Sequence, residues 1–458
     1  MGFDKLPAVH EILSRPDVQS GTGNIRHTYR TRLVRGVLST YRSHLGQDSE
    51  AFPDRDAVAV AVARDVVAAA RELRLPFPRR VVNGTGILIH TNLGRAPLGD
   101  LLDGPVAGAL SGYSNLEWDA SSQRRGSRDG PVAGLLQLLT GAEAALVVNN
   151  CASALLLALE ALARDKNVLV SRSELLEIGG GFRVSEIVET GGCRLVEVGT
   201  TNKTRIADYE KQARKGPSVF LKVHQSNFVQ KGFVESVPLD ELGALARKLR
   251  VPLVYDNGSG LLSRPDLTFL SSELSMEQGL AAGAGVVVAS GDKLVGGVQA
   301  GLIVGKKSLV SAMRRHPLYR ALRLDKVRLS LIHRTFVRYL EKGFSGIPLW
   351  SLAIPALEDL KDRKKRLRLP SKGSRWKAPR WVEVAGSMGG GTNPETTFPS
   401  LALALEHKDH SAKQVQVRFA SRDVPVAGYI QKGAFFIDIR TVLDEDFPEV
   451  QRAIDELG

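Results

Sequence analysis

Apolar residues recur at helical spacing through the first seventy positions: Val9, Ile12 and Leu13, then Leu33, Val34, Val37 and Leu38, then a Val/Ala run from Ala57 to Ala70. This 3.6-residue period predicts a small helical unit over residues 1–70. Leu75-Pro76-Phe77-Pro78 breaks the pattern. From about Thr140 the period changes to short β-branched runs separated by helical stretches. The runs are Ala145–Val148, Val168–Val170, Leu195–Val198, Val219–Val223, Pro252–Tyr255 and Gly285–Ala289. Their spacing is that of βαβ units, so a large α/β domain with a mainly parallel sheet is expected over 71–335. A smaller α+β domain is expected over 336–458, ending in the run Phe435–Arg440.

Composition agrees with a globular α/β enzyme: of 458 residues 43% are hydrophobic, only 6% are aromatic, and 45 are glycine. No run reaches the roughly 18–20 apolar residues of a membrane span and no leader pattern opens the chain, so a cytoplasmic location and no membrane contact are expected. Cys151 and Cys193 are the only cysteines and form no CxxC or Cys/His cluster, which argues against a disulfide framework or a zinc site. The net charge of +13 favours a polyanionic partner. Arg26, Arg30, Arg32, Arg35 and Arg42 crowd the N-terminal unit, as a helix face following a nucleic-acid backbone or as a solvated side. Residues 361–380 carry ten basic side chains against Asp362 alone. That tract reads as a solvated loop or helix end with Pro370 and Pro379 as breakers, with RNA contact as the rival reading.

Three segments carry candidate chemistry. Gly285–Lys293 is an apolar strand ending in Ser290-Gly291-Asp292-Lys293; a desolvated lysine there has a lowered pKa and can form a Schiff base, with Ser290 placed to meet a phosphate. Asp256 closes a second strand, either as a turn residue or as the partner of a protonated pyridine nitrogen. Asn150, Cys151 and Ala152 follow a third strand and open an Ala/Leu-rich helix, whose free amides would hold a phosphate. The order phosphate loop, aspartate, lysine points to pyridoxal 5'-phosphate. His224, Ser226 and Asn227 follow another strand, as contacts to the ring or its 3-hydroxyl or as core residues.

Several longer motifs accompany these segments: Arg80–Gly86 through His90–Arg95, Asn115-Leu116-Glu117 with Arg125–Arg128, Glu174–Gly180, Glu197–Asn202, Lys222–Asn227, Ser290–Leu294 and Pro317–Arg323. Through them the chain resembles the bacterial selenocysteine synthase family over nearly its whole length. The resemblance implies a fold type I pyridoxal-phosphate enzyme that converts seryl-tRNA(Sec) to selenocysteinyl-tRNA(Sec). It implies Lys293 as the cofactor lysine with Asp292 in support, and Arg95, Arg320 and Arg323 as the pocket for selenophosphate. It also implies a homo-oligomer, a ring of dimers amounting to a decamer, with sites at subunit interfaces. The chain departs from the family pattern at Asn257, Val298 and Asp129-Gly130-Pro131, none of which supplies a proposed catalytic group. The rivals are a pyridoxal-phosphate lyase acting on a small amino acid or amino sugar, and a catalytically silent RNA-binding protein.

Overall fold

A computed structural model describes residues 2–47, 53–178, 181–226, 228–265, 267–371, 373–392 and 396–458. Asn227, Gly179, Gly180 and Lys372 lie outside the described residues. The chain forms two compact units, Met1–Arg80 and Val81–Gly458. Among its described residues the first holds four α-helices, α1 (Val9–Ser14), α2 (Pro16–Thr22), α3 (His27–Gln47) and α4 (Arg55–Glu72). Val34, Leu38, Tyr41 and Leu45, one face of α3, pack against Val58, Val62 and Val66 of α4. Asp54 caps α4 by accepting from the Ala57 amide at 2.8 Å.

The second unit is built on a seven-stranded sheet. Its strands are β1 (Ala144–Val148), β2 (Asn167–Ser171), β3 (Arg194–Val198), β4 (Ser218–Val223), β5 (Leu253–Asn257), β6 (Val286–Ser290) and β7 (Gly301–Gly305). The spatial order is β1-β7-β6-β5-β4-β2-β3. Only β7 runs antiparallel to its neighbours. The six sequence-predicted strands are all present, and β7 is the addition. Both faces of the sheet are covered: Ala145, Val147, Val287 and Ala289 enter one core cluster, while Leu146, Val148, Val286 and Val288 enter the other. Burial on both faces is why the inner strands read as continuous apolar runs without alternation, whereas the edge strand β3 keeps Arg194 and Glu197 exposed.

A second, antiparallel sheet follows, ordered β8-β9-β11-β10, from β8 (Trp376–Ser387), β9 (Thr397–His407), β10 (Tyr429–Gln431) and β11 (Ala434–Asp438). A helix at Lys326–Lys342 runs across the expected 335/336 boundary, and Val82–Asn83 pairs with Val426–Ala427, so residues 81–458 interlock. Arg440, 1% exposed, donates to the carbonyls of Leu352, Ala353, Pro355 and Pro399 and ties the second sheet to the end of the helix Pro348–Ala353.

Pro379 corrects one expectation. It does not break the chain but sits inside β8, at a register irregularity between Lys377 and Arg380. β8 is an edge strand, where a missing amide costs no ladder bond. Six of the ten basic side chains of the tract also have acidic partners: Arg363 and Arg366 with Asp444, Arg368 with Asp455, Arg380 with Glu406, Lys361 with Glu358 and Lys365 with Asp362.

Candidate active site

β1, β4, β5 and β6 are parallel, so their carboxyl ends share one edge of the sheet, where ligands gather in open α/β folds. Asn150 and Cys151 follow β1, His224 follows β4, Asp256 lies near the end of β5, and Ser290 ends β6 with Asp292 and Lys293 beyond it. These residues, with Ala152, Ser226 and Arg95, line one cavity of about 1110 Å³.

Lys293 is 9% exposed, and its amine has no hydrogen-bond or ion-pair partner among the described residues. Burial pulls it below the usual lysine value; the nearby Arg95 cation acts in the same direction. A neutral amine at the cavity floor is the form that attacks a carbonyl. Asp256 is pushed up by burial, opposed in part by the thiol of Cys151, which donates to its Oδ1 at 3.5 Å. A methyl group on Gly258 would stand 3.9 Å from both Asp256 Oδ1 and Lys293 Nζ, so carboxylate and amine flank one small space.

At the opening of the helix Cys151–Ala163, Asn150 caps by accepting from the Ser153 amide at 2.8 Å. The amides of Cys151 and Ala152 remain without intrahelical partners, as at any helix start. The Cys151 side chain points not to that opening but to Asp256, and burial holds its thiol well above the ordinary range, so it is a neutral donor.

Arg95 is presented by two successive left-handed residues, Gly94 at φ 90° and Arg95 itself at φ 66°. A non-glycine residue held there is strained and typical of a functional loop. Its guanidinium donates to Asp292 Oδ2 at 2.6 Å. Arg320 and Arg323 do not line this cavity within one chain. Arg323 lies 3.5 Å from Glu117, which also pairs with Arg125 and Arg128, while Arg320 is exposed with no partner among the described residues.

The departures from the family pattern have structural roles. Asn257, fully buried, donates to the Leu274 carbonyl and accepts from Ser259, shaping the turn after Asp256. Asp129 pairs with Arg314 at 2.7 Å.

The structure adds residues that local sequence patterns did not single out. Ser387 and Gly389–Gly391 reach the cavity from the end of β8. Gly391, at φ 83°, packs so tightly on the Lys293 side chain that any Cβ would collide with it. The Gly-Gly-Gly run was a signal of close backbone approach, but nothing local told what it approached.

A cavity at the carboxyl edge of this sheet, with a buried amine and a buried aspartate that have no ion-pair partner among the described residues, and a helix start, defines the class: an enzyme with the fold of type I pyridoxal-phosphate enzymes. In fold it is similar to a solved D-glucosaminate-6-phosphate ammonia-lyase, at TM-score 0.58 and 17% identity over 85% of this chain and 97% of that one. The chain belongs to the L-seryl-tRNA selenium transferase family, whose model matches residues 81–443. It is 39% identical to the L-seryl-tRNA(Sec) selenium transferase of Geobacter sulfurreducens over 100% of this chain and 99% of that protein. To that of Carboxydothermus hydrogenoformans it is 40% identical over 100% and 98%.

Proposed function

We propose that this protein converts L-seryl-tRNA(Sec) to L-selenocysteinyl-tRNA(Sec), by β-elimination of water and addition of selenium from selenophosphate, with pyridoxal 5'-phosphate as cofactor. The observation that carries the reading is the pairing of the Lys293 amine and the Asp256 carboxylate about one space, in a chain of this family. The residues fit the cofactor: Asp256 is buried without a cation, which a protonated pyridine nitrogen supplies, and the Cys151 and Ala152 amides with Ser290 suit a phosphate. When bound, pyridoxal phosphate supplies an electron sink for charge developing at the seryl Cα.

The protein's own groups do the rest. Lys293 would hold the cofactor, and its amine Nζ is the group placed to take the seryl Cα proton, a role that its burial favours. Asp256 would keep the ring nitrogen protonated, and His224 would contact the ring or its 3-hydroxyl. Asp292 holds the Arg95 guanidinium toward the cavity. Arg95, Arg320 and Arg323 bind selenophosphate, since guanidinium forks match phosphate oxygens. Because Arg320 and Arg323 lie off this cavity, they serve the cavity of a second copy in a homo-oligomer, a ring of dimers.

Residues 1–70 bind the tRNA. α3 contains no Asp or Glu, and its exposed side carries Arg32, Arg35 and Arg42 with the small residues Gly36, Ser39 and Ser43 beside them, leaving room for a phosphate backbone. Among the described residues no helix is long and apolar enough to cross a membrane, and the setting we infer is the cytoplasm.

The test is incubation of purified protein with seryl-tRNA(Sec) and selenophosphate, then mass analysis of the amino acid released from the tRNA. Selenocysteine is expected. Unchanged serine on a protein loaded with cofactor would overturn the reading in favour of a small-substrate lyase.

A further inference from the structure

Glu273 is a carboxylate that the chemistry above does not use. It follows the turn Thr268–Leu270, is 2% exposed, and neither of its oxygens has a hydrogen-bond partner among the described residues. Burying a carboxylate without a donor or a cation is strongly unfavourable, so such a group calls for a partner. The ionisable side chain it meets is His224, whose Nε2 lies 3.3 Å from Glu273 Oε2. The other ring nitrogen, His224 Nδ1, is buried and equally without a partner among the described residues.

Among the described residues the surroundings leave Glu273 no other cation. It lines a second cavity of about 310 Å³, together with Glu174, Lys222 and Tyr255. Lys222 is committed to Glu174 at 2.6 Å and to the Val237 carbonyl at 2.9 Å. Burial pushes the Tyr255 hydroxyl far up, so it adds no positive charge and no competing anion. On the other side, His224 also lines the large cavity, and its backbone amide donates to the Asp256 carbonyl at 3.0 Å, which fixes it beside that carboxylate's strand. Glu273 does not line the large cavity. Whatever it does there passes through His224.

We propose that Glu273 is a positioning residue. It accepts the Nε2 proton of His224, setting the tautomer and ring orientation with which His224 meets the cofactor. A carboxylate behind a histidine fixes which nitrogen carries the proton, the way second partners orient functional histidines generally. The inference rests on the reading that the large cavity holds pyridoxal phosphate.

The experiment uses the full-length protein loaded with pyridoxal phosphate and follows two readouts besides turnover: the pH titration of the cofactor's visible absorbance, and cofactor affinity by equilibrium dialysis. Glu273→Gln keeps the shape and one acceptor, Glu273→Ala removes both, and each is also made in a His224→Ala background. With His224 in place, Glu273→Ala should shift the titration midpoint and weaken cofactor binding by roughly 10-fold, with Glu273→Gln in between. With His224→Ala already present, both effects should vanish. Effects of the same size in the His224→Ala background would show a merely structural role and overturn the proposal. So would an unchanged titration in Glu273→Ala. If the native protein takes up no pyridoxal phosphate, the cofactor reading itself fails, an outcome separate from a native protein that titrates normally beside an unaffected variant.

Discussion

Arg95 Nη1 donates to Asp292 Oδ2 at 2.6 Å, across 197 residues of sequence, at the rim of the space beside Lys293. In the free protein this carboxylate occupies the guanidinium that an incoming anion would use. Asp292→Ala should therefore bind inorganic phosphate roughly 10-fold more tightly, while slowing selenium transfer because Arg95 loses its orientation. Calorimetric titration with phosphate checks it; weaker phosphate binding in the variant would refute a competition between carboxylate and anion.

Asp256 gives a prediction with a definite pH sense. Its folded-state value is raised by burial above 3.8, so between 3.8 and that raised value the folded state binds more protons than the unfolded one. Stability of the cofactor-free protein then falls as pH rises through this window. Asp256→Asn removes the penalty and should stabilise the cofactor-free protein by about 1–3 kcal/mol at neutral pH, with no advantage below 3.8. The same variant should lose tight cofactor binding. Thermal melts at acidic and neutral pH, with and without pyridoxal phosphate, measure both effects.

Gly391→Ala tests the contact made by the Gly-rich segment after β8. The new methyl group would collide with the Lys293 side chain, at a left-handed φ of 83° that alanine resists. Cofactor loading at Lys293, trapped with borohydride and located by peptide mass analysis, should fall at least about 10-fold, a cost on the scale of 1.4 kcal/mol. Gly433→Ala, at φ 79° with nothing within 4 Å, is the control for backbone strain away from the site.

Arg320→Ala and Arg323→Ala should impair selenium transfer by about 10- to 150-fold each, the range for removal of a charged hydrogen bond, and leave cofactor loading in place. If these side chains serve the neighbouring copy, a mixed oligomer of Lys293→Ala and Arg320→Ala chains should regain part of the activity that each lacks alone. Unchanged transfer kinetics in both single variants would remove them from the donor site.

Arg32→Glu, Arg35→Glu and Arg42→Glu together on α3 should weaken tRNA binding strongly and lower its salt dependence by about 1 for each phosphate no longer neutralised. Cofactor loading should not change, because every residue lining the large cavity lies after position 81. Binding of tRNA(Sec) and of an ordinary tRNA(Ser), each at several salt concentrations, gives the slope and the discrimination together. Charge supplies the slope, whereas the choice between tRNAs requires shape or exposed bases.

Residues buried on both faces of a sheet must be apolar in unbroken runs, and so the sequence alone revealed the inner strands, while the edge strand β3, with Arg194 and Glu197 exposed, showed only through its short Leu/Val run. It showed Lys293 and Asp256 for a related reason: a charged residue ending such a run stands out, and parallel strands bring their ends to one edge. The family motifs added Arg95 and the arginines of Pro317–Arg323. Strand direction leaves no trace in periodicity, so the antiparallel β7 between Gly301 and Gly305 needed the assembled sheet. Three of the partners of the basic tract, Asp444, Asp455 and Glu406, are far along the chain, and only folding showed which of its arginines they meet. Glu273 behind His224, Cys151 against Asp256 and Gly391 against Lys293 are likewise contacts between distant segments. Local patterns record which face of an element is buried; which side chain waits on the other side of that contact is decided by the tertiary packing.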